Sequence, residues 1–179
     1  MTRPLIIVEN LEKRFALRGS LFSQKGGYIY AVNNISFRIN EHETFGLIGE
    51  TGSGKTTIGK LVLRLLEPTS GRVLYNDDDI FKLNRKKLKK FRRNAQMIFQ
   101  DPYASLNPRK SIEDIVSLPM RVHGLLTPRE RKERVIELLS KVGITPAERS
   151  LNKLPHEFSG GQNQRIGIAR ALAVHPKFI

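Results

Sequence analysis

"GETGSGKTT", residues 49–57, is the stretch that decides how the chain around it folds. It satisfies the pattern G-x-x-x-x-G-K-[ST], whose glycines let the backbone turn so that successive N–H groups point to one side. An apolar run over residues 44–49 precedes it and is typical of a buried parallel strand. Apolar residues at positions 58, 61, 62 and 65 follow with helical spacing, which predicts an amphipathic helix over residues 55–66.

The position of the loop between a strand and a helix is the setting in which this motif binds phosphate groups. Amides of the loop and of the helix N-terminus would surround the phosphate oxygens of a nucleotide. The side chain of Lys55 can reach the β- and γ-phosphates, and the hydroxyl of Thr56 can ligate Mg²⁺. The predicted nucleotide-binding residues are Gly49, Glu50, Thr51, Gly52, Ser53, Gly54, Lys55, Thr56 and Thr57. An accidental glycine-rich turn is the alternative, and the strand-turn-helix context argues against it.

A second glycine pair, Gly160 and Gly161, directly follows Ser159. It precedes a helical pattern that starts at Gln162 and runs to position 172, so its amides and the Ser159 hydroxyl would form another anion site at a helix N-terminus. The alternative is an ordinary helix cap by Ser159. Two such glycine turns in one small domain favour phosphate binding over coincidence.

Composition places the chain among soluble globular proteins. Its 179 residues are 39% hydrophobic and 27% charged, which is enough for one domain with a sizeable core. No stretch approaches the roughly 20 apolar residues of a membrane-spanning helix, and the apolar run at positions 5–8 is too short for a secretory signal. The absence of cysteine excludes disulfides, thiolate metal sites and thiol nucleophiles. We expect a cytoplasmic protein.

The net charge of +14 suggests nucleic-acid binding as a hypothesis. Eight of the twelve residues at positions 82–93 are lysine or arginine. The alternative is a solvated helix face whose inward contacts come from Leu83, Leu88 and Phe91. We favour the solvated face, because no aromatic stacking surface and no set of zinc ligands accompanies the charge.

Other patterns indicate how the chain is organised. Short strands are predicted at residues 6–8, 35–39, 72–75 and 95–99, with an exposed loop over residues 18–30 and a turn at 76–79. Helices are predicted at residues 111–123 and 127–142. The second of these opens with Thr127, Pro128 and Glu130, which is a cap, a proline at the first helical position and an acid at the third. Residues 101–157 therefore predict a small helical subdomain set into an α/β core.

Taken together, these motifs resemble the ATPase subunits of ABC transporters. The resemblance rests on the phosphate loop, on Gln100 after a predicted strand, and on LPHEFSGGQNQRIGIARAL at residues 154–172, and it covers nearly the whole chain. The stretch QMIFQDPYASLNPR at residues 96–109 is similar to ATPases of the peptide, glutathione and nickel importer group. The resemblance implies one domain over residues 1–179, in the α/β class. A P-loop NTPase (RecA-like) core with an antiparallel β-subdomain would occupy residues 1–100, an inserted helical subdomain residues 101–157, and the signature motif with its helix residues 158–179.

The resemblance also implies roles for the second glycine turn and for Gln100. Two nucleotide domains would pack head to tail, and the signature turn of one would close over the γ-phosphate of ATP held by the phosphate loop of the other. The residues of that turn are Ser159, Gly160, Gly161 and Gln162. Gln100 would be a catalytic residue that contacts Mg²⁺ and the attacking water, and it would relay nucleotide occupancy to membrane subunits through the helical subdomain.

An aromatic residue that stacks on adenine is expected shortly after the first strand. Phe15 matches that position, and Tyr28 and Tyr30 are competitors. A purely structural role of Phe15 in the core is the alternative.

Some groups of the family pattern do not occur in the sequence. Family members continue from the signature helix into a strand that ends in Asp-Glu, and a histidine follows later. Residues 176–179 resemble the first step into that strand, so we expect a truncated chain whose fold is incomplete at the C-terminus. Glu157, His156 and His175 stand in other contexts and do not replace those groups. On this expectation the chain as given binds nucleotide poorly and hydrolyses it at no useful rate.

The resemblance implies an ATP-binding and hydrolysing subunit at the cytoplasmic face of the cell membrane, which energises import of peptides, or of nickel or glutathione. The implied partners are a second ABC ATPase, identical or related, transmembrane permease subunits and, indirectly, an extracytoplasmic solute-binding protein. ATP and Mg²⁺ are the implied cofactors, and no nucleic acid is expected. The alternatives are a soluble ABC-type ATPase that acts on nucleic acid or ribosomes, and a non-functional fragment.

Overall fold

The computed structural model describes residues 3–17 and 27–179. Its contacts divide the chain into two compact units, Met1–Phe91 and Arg92–Ile179. The first unit is built around a sheet and the second around helices. Residues 18–26 of the loop or hairpin predicted at 18–30 lie outside the described residues, and residues 28–30 begin a strand, so the loop prediction is wrong for them. The predicted boundaries after residues 100 and 157 remain predictions.

Within the described residues of the first unit, four antiparallel strands form one sheet with the order β2-β1-β3-β4. The strands are β1 (Pro4–Ala16), β2 (Tyr28–Asn40), β3 (Ser70–Tyr75) and β4 (Asp78–Asp79). β1 is flanked on both sides, since Ile6 pairs with Ile39 of β2 and with Tyr75 of β3. The predicted antiparallel β-subdomain is confirmed, and its strands contain the predicted residues 6–8, 35–39 and 72–75.

The buried face of this sheet follows from the alternation of apolar residues. Ile6 and Val8 of β1 are fully buried, and Val8 pairs with Val73 of β3, which is also fully buried. Residues two apart on a strand share one face, so these side chains lie together on the same side of the sheet. Burying each of them stabilises the fold by about 1.5–3 kcal/mol relative to exposure.

Helix α1 (Lys55–Val62) directly follows the phosphate loop and is shorter than the predicted 55–66. Three of its four predicted inward positions, Ile58, Leu61 and Val62, are buried, whereas Leu65 lies beyond the helix and is 49% accessible. The helix ends before Arg64, which adopts a positive φ of 50°. The Arg64 guanidinium donates to the carbonyl oxygens of Ile80 at 2.7 Å and Leu83 at 3.3 Å.

The predicted buried strand at residues 44–49 is wrong for this structure. These residues form no strand and are exposed, and Ile48 is 97% accessible. Phe45 stacks on Phe37 of β2, with ring centroids 5.0 Å apart. An apolar run indicates a buried strand only where neighbouring strands pair with it, and none of the described strands does so.

A turn at residues 76–77 joins β3 to β4, so the turn predicted at 76–79 is confirmed only in its first half, and a short 3₁₀ helix follows β4 directly. Asp79 caps the 3₁₀ helix Ile80–Lys82 by accepting from the Phe81 amide at 3.0 Å. Helix α2 (Arg85–Asn94) follows. Its buried Phe91 packs edge to face on Tyr75, with ring centroids 5.3 Å apart. α2 is thereby anchored on the sheet by an aromatic contact.

The second unit is helical, as predicted for the subdomain at residues 101–157. Its helices are α3 (Pro102–Ser105), α4 (Ile112–His123), α5 (Pro128–Lys141), α6 (Ala147–Ser150) and α7 (Gly160–Leu172), with a 3₁₀ turn at Pro155–Glu157. Ser111 caps α4 by accepting from the Asp114 amide at 3.2 Å. Thr127 and Glu130 form a complete capping box at the start of α5. The helices predicted at 111–123 and 127–142 are confirmed to within one residue at each end.

A continuous apolar core joins α4, α5 and α7. Met120 of α4, Leu138 of α5 and Ile166 of α7 are almost completely buried within it. Leu106, just after α3, belongs to the same cluster, so the chain on the C-terminal side of Gln100 is anchored in this core.

Parallel pairing in the second unit consists of a single bridge between its first and its last residues. Ala95 forms a parallel bridge with Phe178, and the Gln96 amide donates to the Phe178 carbonyl at 3.0 Å. The strand predicted at 95–99 is therefore present only at its first residues, and its neighbour is the segment 176–179. Among the described residues, no helix is both long enough and apolar enough to span a membrane.

Candidate functional site

The phosphate loop, residues 49–57, lies in the first unit and folds around its own lysine. The Lys55 ammonium donates to the carbonyl oxygens of Gly49 at 2.6 Å and Glu50 at 2.5 Å, and to Ser53 Oγ at 3.2 Å. An ammonium has three N–H donors and no acceptor, so Lys55 brings a concentrated positive charge to the centre of the loop. The neutral oxygens around it are weaker acceptors than a phosphate would be.

Two glycines give the loop its shape. Gly52 and Gly54 have φ values of 87° and 91°, which L side chains rarely adopt. A Cβ on Gly54 would lie 2.0 Å from the carbonyl oxygen of Ala31 on β2. Only glycine therefore allows the loop to pass this close to the sheet before entering α1.

The first turn of α1 provides the donors of the site. Gly54 is its N-cap, and no side chain caps the turn. The first amides of a helix have no partner within the helix and carry the positive end of its dipole. Thr56 is exposed at this end, so its hydroxyl is available to an ion. Amides, an ammonium and a free hydroxyl form a donor set that fits a triphosphate with its Mg²⁺.

Exposed aromatic rings lie at the ends of β1 and β2. Phe15 is 42% accessible and has the Lys13 ammonium 5.2 Å from its ring centre. Tyr28 and Tyr30 are exposed as well, with the Arg14 guanidinium 4.8 Å from the Tyr28 ring. Phe15 pairs across the strands with Ile29. Tyr28 and Tyr30 pair with the two neighbours of Phe15, so the tyrosine side chains lie on the face of the sheet opposite to that of Phe15. This exposure argues against a core role for Phe15.

The signature turn, residues 159–162, lies in the second unit at the start of α7. Ser159 accepts from the Gln162 amide at 3.3 Å, and Gln162 Oε1 accepts from the Ser159 amide at 2.9 Å. This is a capping box, so the structural alternative for Ser159 is present. It leaves the amides of Gly160 and Gly161 without a side-chain cap, at the positive end of the helix dipole.

Asn163 fixes the chain that leads into this turn. Its side-chain amide is completely buried and donates to the carbonyl oxygens of Pro155 at 2.9 Å and Phe158 at 3.3 Å. Its Oδ1 atom is buried without a partner among the described residues. The two bonds hold the 3₁₀ turn before Ser159 against the first turn of α7.

Gln100 lies in the second unit, exposed, between the Ala95 bridge and α3. Asp101 caps α3 by accepting from the amides of Tyr103 at 2.9 Å and Ala104 at 3.2 Å. The carbonyl of Phe99 accepts from the Gln164 side chain of α7. Gln100 therefore stands at the junction of an extended segment and a capped helix, both of which contact the signature helix.

Glu157, His156 and His175 were predicted to supply no active-site group. Glu157 Oε2 accepts from the Leu154 amide at 2.6 Å and closes the 3₁₀ turn. His156 and His175 are exposed, and His175 has a φ of 52° at the end of α7. These positions agree with the prediction that none of the three supplies an active-site group.

The basic segment forms the exposed face of α2. Lys82 and Lys87 make ion pairs with Asp79 at 3.7 Å and Asp78 at 3.0 Å. Leu83 and Leu88 are half-buried, and Phe91 is buried. The arrangement matches the solvated-face interpretation of residues 82–93.

Sequence reasoning missed two polar side chains of α7. Gln164 and Arg170 were assigned only to the helical pattern, yet both donate to carbonyls around Gln100. Burial lowers the pKa of Arg170 from its usual value. The sequence signal near these contacts is the pair Asp101 and Pro102. A capping residue followed by a proline indicates that a helix starts next to Gln100.

A comparison with protein families gives a match over residues 32–179 to the family described as ABC transporter. The chain belongs to the ABC transporter family. Both glycine loops and Gln100 lie inside the matched range. The predicted family is thereby confirmed.

Curated relatives of the chain are oligopeptide and glutathione transport proteins. It is 47% identical over 176 residues to the oligopeptide transport ATP-binding protein AppF of Bacillus subtilis, covering 98% of this chain and 53% of that protein. It is 48% identical over 181 residues to OppF of the same organism, covering 100% and 56%. The glutathione import ATP-binding protein GsiA of Escherichia coli K12 is 48% identical over 176 residues, with 98% and 28% covered. The chain thus spans about half the length of the Bacillus relatives.

Solved structures of ABC cassettes share the fold. The dimeric bacterial ABC transporter cassette MJ0796 matches with a TM-score of 0.82 and 32% identity, covering 96% of this chain and 70% of that one. A post-hydrolysis dimer of the same cassette, bound to ADP and Pi, matches with a TM-score of 0.81. The predicted ABC-cassette fold is confirmed by these structures. That cassette holds the products of ATP hydrolysis.

Proposed function

We propose that the chain is the nucleotide-binding part of an ATP-hydrolysing subunit that energises the import of peptides through an ABC transporter. The observation that carries the proposal is the phosphate loop, which gathers the Lys55 ammonium among its own neutral oxygens next to the uncapped first turn of α1. The proposal is supported by the oligopeptide transport relatives, whose identity of 47–48% extends over nearly the whole chain.

In this proposal the chain's own residues hold and orient the nucleotide. Loop amides and Lys55 bind the phosphates, Thr56 and Gln100 contact the metal, and Phe15 stacks on the base. Mg²⁺, when bound, supplies charge neutralisation between the β- and γ-phosphates. Charge stabilisation by preorganised donors is the main contribution such a site makes to phosphoryl transfer.

The signature turn would act on a partner's nucleotide. The amides of Gly160 and Gly161 stand at a helix N-terminus, which attracts anions. The capping box keeps the Ser159 side chain folded onto the helix in a fixed orientation. Such a preformed turn fits a γ-phosphate carried by a second ATPase subunit. We therefore propose a dimer of like or related subunits that works with transmembrane permease subunits, and indirectly with a solute-binding protein, at the cytoplasmic face of the membrane.

Peptides are proposed as the transported class, with glutathione and nickel as the other candidates. The test is uptake of a labelled tripeptide by cells of the native source in which the gene carries Lys55→Ala. We expect ATP-dependent uptake to fall to background in the variant, while labelled glutathione and Ni²⁺ enter at unchanged rates. If peptide uptake is unchanged and one of the other two substrates stops entering, the peptide assignment is wrong.

A further inference from the structure

The segment that contains Gln100 is attached to helix α7 at both of its ends. The Gln164 side-chain amide donates to the carbonyl oxygen of Phe99 at 3.2 Å, immediately before Gln100. The Arg170 guanidinium donates to the carbonyl oxygen of Ser105 at 2.6 Å, at the last residue of α3. Both donors therefore come from the helix whose first turn carries the signature residues.

The attached segment is stiff between these two points. Asp101 caps α3 with bonds to two amides, and the Leu106 amide donates to the Pro102 carbonyl at 3.1 Å. Leu106 itself is buried in the core that includes Ile166 of α7. A capped turn with a buried end has few ways to move independently of α7.

A third contact joins the segment to the signature turn itself. A Cβ built on Gly160 would lie 3.6 Å from Tyr103 Cε2 and 3.7 Å from the Tyr103 hydroxyl. The Tyr103 ring thus lies next to Gly160, although the side chain is 61% accessible. Gln100 is consequently linked to the signature turn through α3 as well as through α7.

The two donors lie well apart on α7. Gln164 and Arg170 are six residues apart, which is about 9 Å along a helix axis at about 1.5 Å per residue. A helix is rigid over this length, so a displacement of its first turn is carried to both anchored carbonyls.

We propose that Gln164 and Arg170 are positioning residues that keep Gln100 in fixed register with the signature turn. Engagement of a partner's γ-phosphate at Ser159 and Gly160 displaces the first turn of α7, and the two side chains pass this displacement to the backbone on either side of Gln100. The position of Gln100 thereby depends on whether the partner's nucleotide is bound. This inference rests on the proposed function, since it assigns a regulation to the same site.

The first test uses the full-length protein, without nucleotide. Gln164→Met removes the donor and keeps the length and apolar volume of the side chain. We expect amide hydrogen exchange of residues 101–106 to become at least about tenfold faster, because that segment loses one anchor, while the melting temperature changes little. Arg165→Met is the matched control, since Arg165 donates from the same helix to Gly143 at 3.1 Å. Equal exchange in the wild type and Gln164→Met would overturn the proposal.

The second test measures ATP hydrolysis by the full-length protein, assembled with the subunits that co-purify from its native source. In Gln164→Met and Arg170→Met we expect kcat to fall about tenfold with the KM for ATP within about twofold, because the phosphate loop is untouched. Arg170→Lys, which can still donate one bond, should recover most of the rate. A fall in kcat of the same size in Arg165→Met would mean that the effect is structural and would overturn the proposal.

A double-mutant cycle separates this inference from the proposed function. If Gln164 acts through Gln100, adding Gln164→Met to Gln100→Ala leaves kcat where Gln100→Ala alone has placed it. If the fold-decreases in kcat of the two single variants multiply in the double variant, the inference is wrong and the proposed ATPase function is unaffected. A wild-type assembly whose hydrolysis does not respond to Lys55→Ala would instead refute the proposed function.

Discussion

The ammonium of Lys55 lies 2.6 Å from the carbonyl oxygen of Gly49, so the side chain folds back across the loop that leads to it. The loop supplies only neutral oxygen partners to this cation. A charged phosphate oxygen forms a hydrogen bond roughly twice as strong as a neutral one. A phosphate oxygen would therefore be a stronger partner for Lys55 than the loop oxygens that it now contacts.

Lys55→Ala is expected to weaken ATP binding by roughly ten- to a hundredfold, which is the loss of one charge-assisted bond of about 1.5–3 kcal/mol. Titration with a fluorescent ATP analogue measures the change. Lys60→Ala is the matched control, because Lys60 lies in the last turn of the same helix. An equal loss in Lys60→Ala would show that general charge, and not the loop lysine, binds the nucleotide.

Gly54→Ala is expected to destabilise the first unit by about 2 kcal/mol or more and to reduce nucleotide affinity. The new Cβ would lie 2.0 Å from the Ala31 carbonyl oxygen, and φ at this position is 91°. A strained φ alone costs about 1–3 kcal/mol. Urea denaturation measures the change.

Gly59→Ala provides the comparison. Gly59 lies inside α1, and a Cβ there meets nothing within 4 Å. Alanine at a helix interior stabilises by about 0.5–1 kcal/mol relative to glycine. The two substitutions should therefore shift the denaturation midpoint in opposite directions, and a shift in the same direction would contradict the described loop conformation.

Asn163→Asp is expected to destabilise the protein by about 3 kcal/mol or more, because a buried carboxylate would face two carbonyl oxygens that now accept from the amide. Gln162→Glu makes the same chemical change one residue earlier. Glutamate at that position keeps the capping box and suits the helix dipole, so its stability should be unchanged or slightly higher. Thermal unfolding of both variants measures these changes. Equal losses of stability in the two variants would argue against the buried position of Asn163.

Acid unfolding should include a contribution from Glu137 on α5. Hydrogen bonds from Lys141 and Arg134 lower the pKa of Glu137 from 4.5 to about 2. A lowered pKa in the folded state means that the carboxylate stabilises the protein above pH 4.5, and that this stabilisation disappears as the pH falls towards 2. Glu137→Gln should flatten the pH dependence of stability between these values, as urea titrations at several pH values would show. The contribution of Glu137 should be small in high salt, since its carboxylate is exposed.

The sequence predicted those elements whose signals are local. The capping box of Thr127 and Glu130 and the strand at residues 35–39 depend on neighbouring residues, and both were found as expected. Helix α1 follows the phosphate loop as expected, and Gly52 and Gly54 supply the positive φ values that the turn into it needs. Local chemistry was sufficient in these cases.

Elements that depend on distant partners were predicted less well. The apolar run at 44–49 predicts a strand only if other strands pair with it, and the end of α1 depends on bonds between Arg64 and carbonyls at positions 80 and 83. The hydrogen bond from Gln164 to the Phe99 carbonyl joins residues 65 positions apart, and no short sequence pattern contains both. Long-range hydrogen bonds of this kind are visible only in the folded chain.

The central claim is that this site binds and hydrolyses ATP to drive peptide import. The most direct measurement is the rate of Mg²⁺-dependent ATP hydrolysis by the full-length protein, isolated with its membrane partners from the native source, with and without peptide. We predict hydrolysis that peptide accelerates and that Lys55→Ala lowers by several orders of magnitude. Hydrolysis that is indifferent to peptide and unchanged by Lys55→Ala would contradict the account.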